Sequence, residues 1–248
     1  MNKSSHIRSS SVMKNLSLLV PRTLIVLFLL VSLTSEPRSL HGQDGQAYRA
    51  LYAASERYYG LETLCAHFEQ EIDVTLLRHT SSGQGTVCLQ QPDLFSMRFA
   101  EPEGDLVVVD GEFAWTFYPS QDDRQVMRCS VEGAGGGFNF FSNFLEDPRG
   151  RFEAVHEGRE PMGDGLSHKI ALKPRETGGL RSVDFRSAVV WLDVDSDLIT
   201  ALEIHDTNES IRRVRLTDIR VGIEIPDDVF RFELPEDVRL FSPPDCSR

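Results

Sequence analysis

From Phe68 onward the polarity of the chain alternates one residue at a time. In "FEQEIDVTL", Phe68, Ile72, Val74 and Leu76 stand against Glu69, Glu71, Asp73 and Thr75. A period of two places successive side chains on opposite faces of an extended backbone, so this stretch is a strand with one apolar and one polar face. The cluster "HTSSGQG" turns the chain into "TVCLQQP", the return strand of a hairpin. The same pattern recurs in "LFSMRF", "DLVVVD", "EFAWTFYP" and "QVMRCSVE", with "AEPEG", Asp110-Gly111 and "QDDR" between them. It resumes in "RFEAVHEG", "LSHKIALKP", "SAVVWLDVD", "LITALEIHD" and "SIRRVRLTDIRVG", and a "PDDVF" turn precedes a terminal "RFELP". The connections are short, so sequential strands pair antiparallel. The expected fold is mainly β: an open, incomplete antiparallel barrel of about eleven strands with helices covering its concave apolar face.

Two segments break the alternation. "GQAYRALYAASERYYG" carries Tyr48, Leu51, Tyr52, Ser55 and Tyr59 at helical spacing and ends on Gly60, a helix stop. "GAGGGFNFFSNFLEDPRG" opens on a glycine hinge and continues with Phe138, Phe140, Phe141, Phe144 and Leu145 before Pro148 and Gly150. A helix built from it is apolar on more than half its circumference.

The first 42 residues read as an export signal. Lys3, Arg8, Lys14 and Arg22 precede any acidic residue, and "TLIVLFLLVSLT" follows as the apolar stretch. The competing reading, a membrane anchor, needs a span of about 20 apolar residues, longer than this unbroken run. Cleavage is placed near Ser39 to Gln43, leaving residues 43–248 as one domain, since no linker, repeat or low-complexity block divides them. That remainder has 21 basic and 37 acidic residues, a net charge of −16. Such a surface repels phosphate backbones and anionic headgroups, which excludes nucleic acid as the expected partner. The cysteines are Cys65, Cys88, Cys129 and Cys246, and an even count in an exported chain favours disulfides. Three pairings exist and spacing does not choose between them; Cys65 with Cys88 is the preferred pair, leaving Cys129 and Cys246.

Signals for catalysis and metal binding are absent. There is no C-x-x-C, H-E-x-x-H, G-x-S-x-G or P-loop, and no metal or cofactor is expected. "DVDSD" (Asp193 to Asp197) has the alternating carboxylates of a calcium loop, but Leu198 stands where the turn needs Gly and Ile204 where a Glu belongs, so it reads as a hairpin turn. His67, His156, His168 and His205 have no partners in sequence and read as surface or hydrogen-bonded residues. The aromatic faces carry more: Phe95, Met97 and Phe99 share one face of a strand, and Phe113, Trp115 and Phe117 one face of another. A curved sheet with bulky apolar faces and a Phe-rich segment on a glycine hinge describes an apolar pocket with a lid.

In order and spacing these pieces resemble the LolA family of outer-membrane lipoprotein carriers. The resemblance rests on Phe68 and Gln70, Gly85, Pro92 to Phe95, Asp110-Gly111, Trp115 and Tyr118-Pro119, and further on "FSNFLEDP", "KIALKP" and "FRFELPEDV". It implies a monomeric, non-catalytic periplasmic chaperone. Such a carrier takes acylated lipoproteins from an inner-membrane lipoprotein-releasing ABC transporter, shields their acyl chains and delivers them to an outer-membrane lipoprotein acceptor. On this reading Phe68, Phe95, Met97, Phe99, Phe113, Trp115 and Phe117 line the lipid site, and Leu51, Tyr52, Phe140, Phe141, Phe144 and Gln91 belong to the lid. Phe95 falls at a family position important for accepting and releasing cargo, and Trp115 at the aromatic of D-G-x-x-x-W. Met97 stands where many members have Trp. Gln91 departs more consequentially: the family usually has an Arg there that tethers the lid, and Gln lacks its charge and bidentate fork. The alternative on the same scaffold is a periplasmic binding module for another lipid, or a lipoprotein sensor.

Overall fold

The computed structural model describes residues 40–131, 141–175 and 185–243. Residues 1–39 of the expected signal, the glycine hinge, Phe138, Phe140 and Cys246 lie outside these, and the last three residues of that signal fall in the first helix. Helix α1 spans Leu40–Tyr59, and the strands that follow are β1 (Thr63–Val74), β2 (His79–Gln90), β3 (Leu94–Glu101), β4 (Leu106–Asp110), β5 (Phe113–Phe117) and β6 (Gln125–Ser130). Two single-turn helices, α2 (Ser142–Leu145) and α3 (Pro148–Arg151), lead into β7 (Phe152–Met162), β8 (Gly165–Pro174), β9 (Phe185–Asp193), β10 (Ile199–Asp206) and β11 (Ser210–Val221). A 3₁₀ turn at Asp227–Phe230 and a short β12 (Arg239–Phe241) are the last elements among the described residues.

All twelve strands form one open sheet in the order β12-β6-β5-β4-β3-β2-β1-β11-β10-β9-β8-β7. Eleven of them make two antiparallel meanders joined where β1 pairs with β11, which is what short connections dictate. β12 is the exception, running parallel to β6. The terminal "RFELP" is therefore not a strand: Phe232 within it packs against Trp115 and Phe117, and the ladder resumes only at Arg239. Phe230, rather than a strand pleat, anchors this tail; it is buried beside Ile225 and the Cys65–Cys88 disulfide. That disulfide joins residues directly opposite each other in β1 and β2, as preferred from sequence. Cys129 is also disulfide-bonded.

Two features of the local sequence shape the curvature. A bulge falls between Gln84 and Gly85 against β3, and a Cβ at Gly85 would lie 2.0 Å from the carbonyl oxygen of Arg98. Only glycine lets β2 and β3 approach this closely. "DVDSD" is the β9–β10 turn, as read from sequence: the Asp193 carboxylate accepts from the Asp195 and Ser196 amides and the Ser196 hydroxyl. No metal-binding cluster occurs among the described residues.

Candidate functional site

The concave face is built strand by strand from the register. Phe68 of β1 faces Gly85 of β2, and Gly85 faces Phe99 of β3, so the two rings meet over a position without a side chain. They pack edge-on at 4.9 Å, and Phe99 in turn meets Tyr118 edge-on at 6.2 Å. Phe95 and Met97 extend this wall, opposite Val109 and Val107 of β4. Leu64, Ala66, Val87 and Leu89 continue it, and all belong to one apolar cluster with Phe68, Phe95 and Phe99. Phe68 is fully buried and Phe95 nearly so, whereas Met97 is half-buried. Aromatic rings and a methionine make a broad apolar surface with little shape selectivity.

A helix joins the apolar cluster to which this wall belongs, packing chiefly against β7 and β9 of the other meander. The buried face of α1 is Ala47, Tyr48, Ala50, Leu51, Ala54 and Tyr58. It is rotated from the face expected from the tyrosines, and Tyr52 and Tyr59 are exposed at 40% and 63%. The alanines explain the rotation: small side chains let the helix backbone lie close to the sheet, while the tyrosines outside that stripe stay in water. Tyr52 thus sits on the outer side of the lid. The helix is tied to the far half of the sheet, where the Tyr48 hydroxyl donates to the Phe152 carbonyl at 2.8 Å. The Tyr58 hydroxyl accepts from the Ile199 amide at 3.4 Å, and burial holds that hydroxyl protonated far above its usual range. Arg149 lies over the Tyr48 ring at 4.4 Å. Phe141 stacks on Tyr58 at 5.0 Å, and Phe144 packs against Phe185 at 5.7 Å. The Phe-rich segment therefore delivers two buried rings through short turns; Phe140 falls outside the described residues.

Gln91 closes the other end of the helix. Its Nε2 donates to the Tyr58 carbonyl at 3.2 Å, the same oxygen that accepts from the Leu61 amide as the helix ends. A carbonyl at a helix C-terminus lacks the donor that a further helical turn would supply, and the side-chain amide adds a second bond beside that of Leu61. The position expected to carry an Arg tether carries a neutral single-bond tether.

Phe113, Trp115 and Phe117 require a correction. Val109 pairs with Ala114 and Val107 with Thr116, so Ala114 and Thr116 share the concave face with Phe95 and Met97. The three aromatics alternate with them and project from the convex face. There Phe232 packs on Trp115 and Phe117 at 5.5 and 5.9 Å, and Arg128 lies 4.4 Å over the Phe113 ring. The Trp115 indole donates to Asp110 at 2.7 Å, and Asp110 also caps the Glu112 and Phe113 amides. Arg98 fixes the tail by donating to the Val229 and Arg231 carbonyls. These aromatics hold the C-terminal tail on the outside of the sheet and do not line the concave wall.

Sequence spacing also missed a pair of histidines. His156 of β7 and His168 of β8 are hydrogen-bonded, Nε2 to Nδ1, at 2.8 Å. Burial, with Arg159 close by, holds both imidazoles below their ordinary pKa. One must donate and the other accept, so the bond requires at least one neutral ring. On the outer surface, Glu203 accepts from His205 and Arg213, and these bonds keep its carboxyl below the usual range despite partial burial. A polar cleft of about 680 Å³ lies under the end of α1, lined by residues including Tyr59, Gln91, Ile223 and Asp227.

An open antiparallel sheet with an apolar concave wall and a helical cover defines a half-barrel container. The family described as "Outer membrane lipoprotein carrier protein LolA" matches residues 59–233, and the chain belongs to that family. An outer-membrane lipoprotein carrier protein of Halorhodospira halophila is 25% identical over 219 residues, covering 88% of this chain and 93% of that one. One of Alkalilimnicola ehrlichii is 27% identical over 181 residues, covering 73% and 78%. Among solved structures, an uncharacterized conserved protein from Thermus thermophilus aligns with a TM-score of 0.50 at 12% identity, over 80% of this chain and 99% of that one. That last likeness concerns the fold alone.

Proposed function

We propose that this protein is a periplasmic lipoprotein carrier that shields acyl chains between the concave wall and helix α1. The observation that supports it best is that the apolar concave wall of an open sheet shares one core with a helix that a few side-chain hydrogen bonds hold in place. A sheet closed on itself would offer no such entrance. An acyl chain costs about 0.8 kcal/mol per CH₂ exposed to water, so one of roughly 16 carbons must be offset by on the order of 10 kcal/mol of apolar contact. The wall residues Phe68, Phe95, Met97 and Phe99 supply such contacts once the helix yields, and Leu51, Phe141 and Phe144 close over the chain. On this reading the protein transfers cargo without covalent chemistry, receiving it from the inner-membrane transporter and passing it to the outer-membrane acceptor as a monomer.

Release of acylated lipoprotein from inner-membrane vesicles by the purified chain tests this. Met97→Glu, at a half-buried wall position, is expected to abolish release while the protein stays folded. Release equal to that of the unaltered protein refutes the proposal, and native mass spectrometry showing a different co-purified lipid redirects it to another cargo.

A further inference from the structure

One charged residue projects from the apolar wall. Arg212 of β11 pairs with Ile72 of β1 on one side and Ile204 of β10 on the other. It therefore shares the concave face with these two isoleucines, four residues along β1 from Phe68. Its Nη2 lies 3.7 Å from the Asp206 carboxylate, which also accepts from the Ser210 hydroxyl. Its Nε is buried and has no hydrogen-bond partner among the described residues. Leaving such a donor unpaired costs free energy that an apolar residue at the same place would avoid.

Tyr118 belongs to the same concave face in the meander of β1 to β6. It follows β5 in the parity of Ala114 and Thr116, packs on Phe99, and belongs to the rim of the concave cluster. In sheet order β5 and β11 are separated by β4, β3, β2 and β1; burial raises the pKa of the Tyr118 hydroxyl, and the Arg212 charge opposes that rise. The edge-on contacts of Phe68 with Phe99 and of Phe99 with Tyr118 carry the concave face from β1, where Ile72 pairs with Arg212, across to Tyr118. The neighbouring Asp105 is already engaged, accepting from the Ser120 amide and hydroxyl. Arg212 lies toward the end of the concavity remote from Gly60, because its partner Ile72 is near the finish of β1, and Tyr118 lies level with Phe99. The nine steps from Thr63 to Ile72 span about 30 Å, and an acyl chain reaches about half of a 30 Å hydrocarbon core.

We propose that Arg212 and Tyr118 form a polar rim that binds the ester carbonyl oxygens of an acylglycerol group, with its chains directed along the wall toward Gln91. This rests on the acyl-carrier reading above and adds the orientation and head-group chemistry of the ligand. Asp206 balances the Arg212 charge, so the rim offers N–H and O–H donors without net positive charge. Neutral carbonyl acceptors fit such a site better than a fatty-acid carboxylate.

Equilibrium binding of radiolabelled dipalmitoylglycerol, its dihexadecyl ether analogue and palmitate to the delipidated full chain tests the rim. The diester is expected to bind about tenfold or more tighter than the diether, since only the ester has carbonyl acceptors for a charged donor. Arg212→Leu and Tyr118→Phe are each expected to bring that ratio toward one while diether affinity is unchanged, which also reports that the fold is intact. Equal affinity for diester and diether, a ratio unchanged in either variant, or palmitate bound more tightly than the diester overturns the rim. Failure of the unaltered chain to bind either glycerolipid overturns the acyl-carrier reading itself.

Discussion

Replacing Gln91 with Ala removes one hydrogen bond from the end of helix α1 and nothing from the wall beneath it. The bond is neutral, part-buried and 3.2 Å long, at the outer edge of the usual N–H···O range. Its net contribution is about 1 kcal/mol, which is roughly a fivefold change in the constant for helix opening. Tyr48 still holds Phe152, Tyr58 still meets Ile199, and the Phe141 ring still stacks on Tyr58. The closed state therefore remains dominant in Gln91→Ala, and the change is one of opening frequency. Native-state amide exchange reads it directly. Protection at Tyr58, Tyr59 and Gly60 is expected to fall by about two- to tenfold. If the helix lifts as one body, amides near Leu51 lose the same factor; if only its last turn frays, they do not. Gln91→Arg adds charge and a second donor for the same carbonyl, and is expected to raise protection and slow cargo release. Unchanged exchange in Gln91→Ala throughout residues 47–61 refutes the assignment of Gln91 as a tether.

Other expectations follow from the two faces and the strand contacts. Gly85→Ala drives a Cβ against the Arg98 carbonyl. It is expected to destabilise the fold by about 1–3 kcal/mol or more in thermal melts; Gly83→Ala meets the Phe99 ring first, at 2.8 Å, and costs less. Phe232→Ala should loosen the C-terminal tail and lower stability by about 1–3 kcal/mol, with lipid affinity unchanged; a parallel loss of lipid affinity would return Trp115 and Phe117 to the binding wall. The His156–His168 pair sets a pH dependence. Both pKa values are depressed from 6.5 in the folded chain, so the unfolded chain takes up protons first as pH falls. Their contribution to stability is complete above about pH 6.5 and is lost as pH falls through the folded values. Denaturant titrations from pH 8 to 5 should show the decline, and a His156→Phe, His168→Leu double variant should flatten it.

The strand meanders were legible because period-two alternation and short turns are local signals. Phe68, Phe95 and Phe99 were legible as one wall for the same reason: three adjoining strands placed them there with little freedom. Parity across the next turn was not. Alternation shows that Phe113, Trp115 and Phe117 share a face, but which face depends on the hairpin register at Asp110–Phe113, where Val109 meets Ala114. Large aromatics suggest an interior, and here their cover comes from Phe232, more than a hundred residues away. The helix face misled in the opposite sense: tyrosine spacing dominated the pattern, while close packing selected alanines. His156 and His168 come together only through a bulged β7–β8 register, and no sequence spacing encodes that.

The two coverings of the sheet differ in kind, and the difference bears on how such a container opens. On the convex face the tail is held by two Arg98 bonds to backbone carbonyls, a Thr63 bond to Ile223, the Phe230 cluster against the Cys65–Cys88 disulfide, and a β12 ladder. On the concave face α1 rests on three alanines with Tyr48, Leu51 and Tyr58, and is tied by side-chain bonds at Tyr48 and Tyr58. The ties of α1 are side-chain bonds, whereas those of the tail include a strand ladder and two bonds from one guanidinium, so lifting α1 breaks fewer directional bonds than peeling away the tail of Phe230 and Phe232. Whatever the helix exposes on lifting is regained when an acyl chain takes its place against Phe68, Phe95 and Phe99. Opening should therefore occur on the concave side while the convex side stays fixed. Crosslinking α1 to the sheet should then block cargo uptake, and crosslinking the tail to β5 should leave it intact.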